Sequence, residues 1–388
     1  MKRIFSRLIT LLTAVVILLI FCCNICADDT AEAHEDASGT KVQADNAADT
    51  YEDTAAEYYK RLFECIDNDT NPLTDDYIDE TLRARLREFD LSEIEISAVI
   101  GKLDRTMQKA EETAQVMPDD NAGHPEDNTS YTDGNPDQTD DFAAKLYLLS
   151  IFDYECSTKE NHAASYYNPD DNTVHIGKDV APNNFSTIFF HESAHAVYQS
   201  IKDRIGEFSK EDAKSLSGLE DKVYEALEND VRNTIKSVLD TDTDHTYTPV
   251  EEETIADAFI NGSLAIPEAY DYIKESIEAS IKEIPYTNAS MVSDIYGGIT
   301  NNKIYGGMGH TVQKLKSDGT YFLYWYDEDG NPTRRQTDEA WAEFFAAVIM
   351  ADEENIIYNE KYFPTGTAAL TELAQYLLNE YSRLQRDK

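Results

Sequence analysis

The most constraining feature of the sequence is the segment 186–201, STIFFHESAHAVYQSI, because it contains the pattern HExxH. In a helix, His191 and His195 are four residues apart and lie on one face, where both imidazoles can reach a single metal ion. Glu192 lies one position further around the helix, where its carboxylate can contact a water molecule on that ion. The three residues therefore predict a metal site with a carboxylate placed to accept a proton from water.

The apolar residues of the same segment independently predict a helix. They recur at helical spacing and would form a stripe that faces the core: Phe190, Ala194, Val197 and Ile201. Asn184 or Ser186 can cap the start of this helix. The alternative interpretation is an ordinary helix that carries two histidines at its surface or in its core.

The N-terminus has the composition of a secretory signal. Three basic residues among the first seven precede an apolar run over residues 8–23, and acidic residues begin at Asp28. This order predicts a signal peptide over residues 1–27, and hence a secreted protein or one on the extracellular surface. A retained N-terminal membrane anchor is the alternative, although the apolar run is short for a membrane span.

Three of the five cysteines lie in this predicted signal peptide, so a processed chain retains Cys65 and Cys156. In an oxidising compartment, two remaining cysteines predict one disulfide bond. Two unpaired, buried thiols are the alternative.

The formal net charge of −42 limits the partners of the chain. Such a charge repels nucleic acid and anionic lipid, so we expect no nucleic-acid partner and no membrane contact beyond a possible anchor. Apolar residues make up 41% of the chain, which is enough for a large core. We expect a monomer that acts on a protein or peptide.

Changes in composition divide the chain into segments. Residues 28–57 are rich in Asp, Glu, Ala and Thr, which predicts a disordered acidic spacer. Apolar periodicity predicts a helical region over residues 58–115. Residues 116–141 contain prolines and acids but no Lys or Arg, so they predict a flexible loop, either a linker or an insertion within one fold. The HExxH segment belongs to the remaining domain, residues 142–388.

A predicted β-hairpin directly precedes the HExxH helix. Residues 164–167 and 173–176 have strand character, and the sequence NPDDN between them favours a turn. In zinc peptidases an edge strand beside the HExxH helix holds the substrate backbone by strand addition. The order of hairpin and helix therefore favours a peptidase over an unrelated metal site.

A catalytic zinc ion needs three protein ligands and one open position, so a third ligand must come from elsewhere. Two segments share the pattern Glu-x-x-Ala-acid-x-Phe: EAWAEFF, which begins at Glu339, and ETIADAF, which begins at Glu253. In each, the acid one turn later, Glu343 or Asp257, can orient a ligand histidine. The residue pattern leaves both segments open.

Several separated motifs occur in an order that resembles a known family. They are Asn172-Thr173-Val174, HESAH, Ser293-Asp294-Ile295-Tyr296, Gly309-His310, Glu339-Ala340-Trp341-Ala342 and Tyr362-Phe363-Pro364. From about residue 142 to the C-terminus, the chain resembles the metallopeptidase-type domain found with phage minor head proteins and polymorphic toxins. More distantly, it is similar to the glutamate-ligand (gluzincin-like) zinc peptidases, including the anthrax lethal-factor-like group.

This resemblance implies that Zn²⁺ binds His191, His195 and Glu339, which leaves Glu253 as the alternative third ligand. The spacing from His195 to Glu339 is longer than in the lethal-factor-like group, so an insertion must be accommodated. Trp341 takes the place of the phenylalanine in the Glu-Ala-Phe-Ala motif of the phage- and toxin-associated domain. We expect an α+β, zincin-like fold, with the HExxH helix packed beside a small antiparallel sheet and a helical lobe that carries the third ligand.

The glycine-rich segment 292–310 supplies a second candidate for chemistry. Two asparagines within residues 299–304 predict a hairpin. His310, flanked by glycine, is predicted as a catalytic residue that donates to the oxyanion of a tetrahedral intermediate, and Tyr305 is an alternative donor. A loop histidine that faces water is the competing interpretation.

The sequence thus predicts a secreted zinc-dependent metalloendopeptidase. In this hypothesis Glu192 is the general base for a zinc-activated water and then passes the proton to the leaving amine. The alternative is a non-catalytic secreted or surface module that binds metal or a partner and derives from a phage or toxin peptidase domain. Glu192 counts against this alternative, because a structural metal site does not need that carboxylate.

Overall fold

The computed structural model describes residues 42–116, 141–158, 164–178, 180–261, 270–284, 286–304, 313–315, 321–325, 333, 335–350 and 353–386. The chain divides into two compact units, residues 1–52 and 53–388, and the fold below is that of the second. The predicted signal peptide, residues 117–140 of the predicted loop, Tyr305 and His310 lie outside the described residues.

The described part of the chain is mostly helical. Its helices are α1 (Val42–Asp67), α2 (Asp76–Glu88), α3 (Glu93–Val116), α4 (Phe142–Ser150), α5 (Phe185–Phe208), α6 (Lys210–Leu239), α7 (Pro249–Ile260), α8 (Tyr270–Lys282), α9 (Tyr286–Thr300), α10 (Arg335–Ile349), α11 (Glu353–Tyr362) and α12 (Pro364–Arg386). Its strands are β1 (Glu155–Ser157), β2 (Tyr166–Asn168), β3 (Thr173–His175), β4 (Gln313–Leu315) and β5 (Tyr321–Leu323). This content confirms α+β as the coarse class.

The three-stranded sheet has the order β1-β3-β2. Strands β2 and β3 are antiparallel, with Tyr167 opposite Val174, so the predicted hairpin is confirmed. Strand β1 was not predicted, and it pairs parallel to β3, with Cys156 opposite Val174. The sheet is therefore mixed, and the expectation of an antiparallel sheet was wrong. Because β1 has only three residues, its sequence is too short to show a periodic pattern.

The predicted helical region and the domain that follows it share one core. The Arg85 side chain on α2 is 4% exposed and donates to the main-chain oxygens of Ile151 (3.2 Å) and Tyr154 (2.7 Å). On α3, the Thr106 hydroxyl donates to the main-chain oxygen of Ile349 on α10 (2.6 Å). These buried bonds make α2 and α3 part of the fold that carries the HExxH helix.

Helix α1 begins at Val42, inside the 28–57 segment that was expected to be a disordered spacer, so that boundary was wrong. The segment has few large apolar residues, but alanine and glutamate have high helix propensity. Acidic composition alone therefore did not separate a spacer from the first turns of a helix.

The predicted hairpin over residues 299–304 was also wrong. Helix α9 continues to Thr300, and Asn301 and Asn302 follow it with φ of 51° and 57°. Asparagine tolerates the left-handed conformation, and this property suits a helix C-terminus as well as a hairpin turn. The two asparagines therefore end a helix.

The predicted disulfide bond does not form, because Cys65 and Cys156 are both free thiols. Cys156 lies on β1 and is only 9% exposed, whereas Cys65 is half-buried on α1. Burial raises the pKa of Cys156 to about 12, so its thiol stays protonated and chemically inert at neutral pH.

Candidate metal centre

Helices α5 and α10 pack directly against each other, and this contact builds the site. The buried Trp341 indole on α10 donates to the main-chain oxygen of Ala194 on α5, at 3.1 Å. The Trp341 ring also packs against Tyr198, with 5.4 Å between the ring centroids. Ala194 lies between the two histidines of HExxH, so these contacts hold the start of α10 beside them. The predicted helix is confirmed; Asn184 is at its N-cap position but makes no capping hydrogen bond through its side chain.

Glu339 faces both histidines. Its Oε2 atom lies 3.5 Å from Nε2 of His191 and 3.5 Å from Nε2 of His195. These separations are long for hydrogen bonds. Two ligands of one tetrahedral zinc ion, each bonded at about 2.0–2.1 Å, are roughly 3.3–3.4 Å apart. The three residues therefore fit zinc, and their ligand atoms all lie within 4.8 Å of one another.

A second layer of contacts orients the three side chains. The Tyr324 hydroxyl, just after β5, donates to Oε1 of Glu339 at 2.6 Å, which leaves Oε2 directed at the histidines. Oε1 of Glu343 lies 3.4 Å from Nδ1 of His191, as expected for an acid that holds a ligand histidine with Nε2 toward a metal. The role that the sequence assigned to Glu343 is therefore consistent with its position.

These contacts shift the pKa values of His191 and Tyr324. Burial by itself lowers the pKa of His191, but its contacts with the carboxylates of Glu343 and Glu339 raise it well above its ordinary value. A metal ion must therefore displace a proton from this imidazole when it binds. Burial and the charge of Glu339 raise the pKa of Tyr324 far above its usual range, so its hydroxyl remains a donor.

Glu192 and the three candidate ligands line one cleft of about 320 Å³. Tyr166 and Tyr167 of β2 form another part of its wall. Among the described strands, β2 pairs only with β3, so its other edge is available to an extended peptide. The cleft thus combines a candidate metal-binding cluster, a carboxylate on the same helical turn and a strand edge.

Glu253, the other candidate for the third ligand, lies elsewhere. Its side chain on α7 is 46% exposed and forms ion pairs with Arg232 and Lys236 of α6. The structure brings Glu339, and not Glu253, to the histidine pair. His310 and Tyr305 are outside the described residues, so their predicted roles stay predictions.

Three residues that line the cleft were not predicted from the sequence: Tyr324, Arg335 and Tyr198. Tyr324 lies in the aromatic sequence YFLYWY, which predicts a strand but gives no sign of chemistry. Tyr198 lines the cleft and donates to the buried Glu220 at 2.7 Å. Its position one turn after His195 was the available signal, because residues three apart share a helix face.

Comparisons of the chain with protein-family models, with curated proteins and with solved structures found no match. Among the described helices, none combines the length and the apolar character that crossing a membrane requires.

Proposed function

We propose that the chain is a zinc-dependent metalloendopeptidase. The observation that carries this proposal is the approach of Glu339 Oε2 to 3.5 Å from the Nε2 atoms of both HExxH histidines. Two imidazoles and one carboxylate form a ligand set of catalytic zinc sites. When bound, zinc acts as a Lewis acid that polarises a carbonyl group and lowers the pKa of water.

The residues of the chain divide the remaining work. Glu192 accepts the proton of the attacking water and transfers it to the nitrogen of the leaving amine. An extended substrate binds along the open edge of β2, where main-chain hydrogen bonds recognise a peptide backbone without requiring a chain end. Tyr324 and Glu343 hold Glu339 and His191 in their binding orientations.

The proposal includes a location and a substrate class. The protein is secreted or lies at the extracellular surface, and its substrate is a protein or peptide. These parts of the proposal follow from the predicted signal peptide over residues 1–27 and from the net charge of −42, which disfavours nucleic acid as a partner.

The test compares three single variants with the parent chain. We expect the parent to bind one zinc ion and to cleave peptides from a mixed library. Glu192→Gln should retain zinc but lose about 10²–10⁴-fold in kcat/KM, because it lacks the general base. Glu339→Gln should lose zinc. Glu253→Gln is the matched control on α7 and should behave as the parent does.

Two results would refute the proposal. One is a parent chain that binds no zinc at neutral pH and cleaves nothing. The other is cleavage that Glu192→Gln retains in full, since the activity would then come from another site or from a contaminant.

A further inference from the structure

Arg335 lines the same cleft as His191 and Glu192, and the proposed mechanism gives it no role. It is the first residue of α10, one turn before Glu339. Its guanidinium lies over the Tyr324 ring, with 5.0 Å from Cζ to the ring centroid. Its Nη1 donates to the main-chain oxygen of Tyr324. The ring and the carbonyl together hold the cation in place.

Little of the hydrogen-bonding capacity of Arg335 is used. A guanidinium has five N–H donors. Within the described part of the chain, its side chain donates to one acceptor, the oxygen of Tyr324. A structural link between α10 and the end of β5 needs no more than that one donor. The remaining edge of the guanidinium has the fork geometry that binds a carboxylate through two parallel bonds.

The charges around the cleft make this cation conspicuous. Among the described residues that line it, Arg335 is the one Lys or Arg, whereas Glu192, Asp338 and Glu339 are acidic. The first turn of α10 also lines the cleft, and the N-terminal end of a helix favours an anion. A substrate carboxylate placed over Arg335 would meet both the guanidinium and this helix end.

We propose that Arg335 determines specificity by binding a carboxylate of the peptide substrate. The carboxylate belongs either to an Asp or Glu side chain or to the C-terminus of the peptide, because the guanidinium recognises the same group in both. As a statement about cleavage, this inference rests on the proposed peptidase function.

The experiment uses matched peptides that differ in one carboxylate. One set exchanges Glu for Gln at successive positions, and the second set exchanges a free C-terminus for an amide. Cleavage of each pair is measured with the parent chain, Arg335→Gln and Arg335→Lys. Binding of the same pairs is measured by fluorescence anisotropy with Glu192→Gln and with the double variant Glu192→Gln/Arg335→Gln. Zinc content is determined for every sample.

We expect the carboxylate member of at least one pair to be favoured about tenfold or more, since paired hydrogen bonds between a guanidinium and a carboxylate are stronger than hydrogen bonds to a neutral amide. The set that shows the preference identifies the source of the carboxylate. Arg335→Gln should bring the ratio within each pair close to one without loss of zinc. Arg335→Lys should restore part of the ratio, because it keeps the charge but not the fork.

The ratio separates recognition from a purely structural role, which would lower cleavage of both members of a pair equally. The inference is overturned if the parent does not discriminate within any pair or if Arg335→Gln discriminates as the parent does. Cleavage without carboxylate preference would remove this inference and leave the peptidase proposal intact. Conversely, Arg335-dependent binding of carboxylates without any cleavage would support the site and refute the peptidase.

Discussion

Removal of the Tyr324 hydroxyl tests the proposed metal centre by changing a single atom. It donates at 2.6 Å to Oε1 of Glu339, whose side chain is only 3% exposed. The substitution Tyr324→Phe removes this donor and keeps the ring that lies under the Arg335 guanidinium. Loss of the hydroxyl therefore affects the orientation of Glu339 and the stabilisation of its negative charge. The contact between the ring and the guanidinium remains in place.

The size of the effect follows from that contact. A hydrogen bond to a charged acceptor contributes about 1.5–3 kcal/mol, and about 1.4 kcal/mol corresponds to a tenfold change in an equilibrium constant. We therefore expect Tyr324→Phe to weaken zinc binding about 10- to 100-fold. Loss of other outer-shell partners of metal ligands has effects in the same range.

The assay is competition for zinc against a chromophoric chelator at neutral pH. Tyr198→Phe is the matched control, because Tyr198 also lines the cleft but donates to Glu220 and not to a candidate ligand. The control should bind zinc as the parent does. Equal zinc affinity in the parent and in Tyr324→Phe would refute the reasoning, and so would an equal loss in both variants.

Three further predictions concern the contact of Glu343 with His191, the two cysteine thiols, and the buried Arg85. Glu343→Gln should weaken zinc binding about tenfold, because it removes the carboxylate beside Nδ1 of His191; unchanged affinity in the same competition assay would contradict this role. In a chain without the first 27 residues, a thiol reagent should modify Cys65 in the native state and Cys156 only after unfolding, whereas a disulfide bond would leave no reactive thiol. Arg85→Met should lower the free energy of unfolding in urea by about 3 kcal/mol, because it removes two buried hydrogen bonds from a charged donor; a loss below about 1 kcal/mol would show that the carbonyls find other donors.

The sequence predicted the elements that have strong local signals. The HExxH helix shows helical periodicity, and the hairpin before it has a turn sequence between two short strands. The residue pattern alone left Glu339 and Glu253 as candidates for the third ligand, since EAWAEFF and ETIADAF have the same pattern, and the family resemblance favoured Glu339. The choice between them depends on which helix packs against α5, and packing between distant helices leaves no signature in either segment alone.

The wrong predictions have physical causes of the same kind. Asparagine favours positive φ in a hairpin turn and at a helix end alike, so Asn301 and Asn302 did not distinguish the two. The number of cysteines predicts a disulfide bond only if the two thiols lie close together in the fold. Cys65 and Cys156 lie on separate elements and are not bonded. Tyr324 acts through one hydroxyl group that reaches Glu339 from the end of another element, and single contacts of that kind have no sequence pattern.

The two ends of the second unit meet in the folded chain. Arg386, in the last turn of α12, pairs with Asp67 at the end of α1 at 2.6 and 3.0 Å, across 319 residues of sequence, and its guanidinium covers the Phe63 ring. Closing a loop of this length costs conformational entropy, so contacts between residues this far apart form slowly. We therefore expect α1 and α12 to come together late in folding.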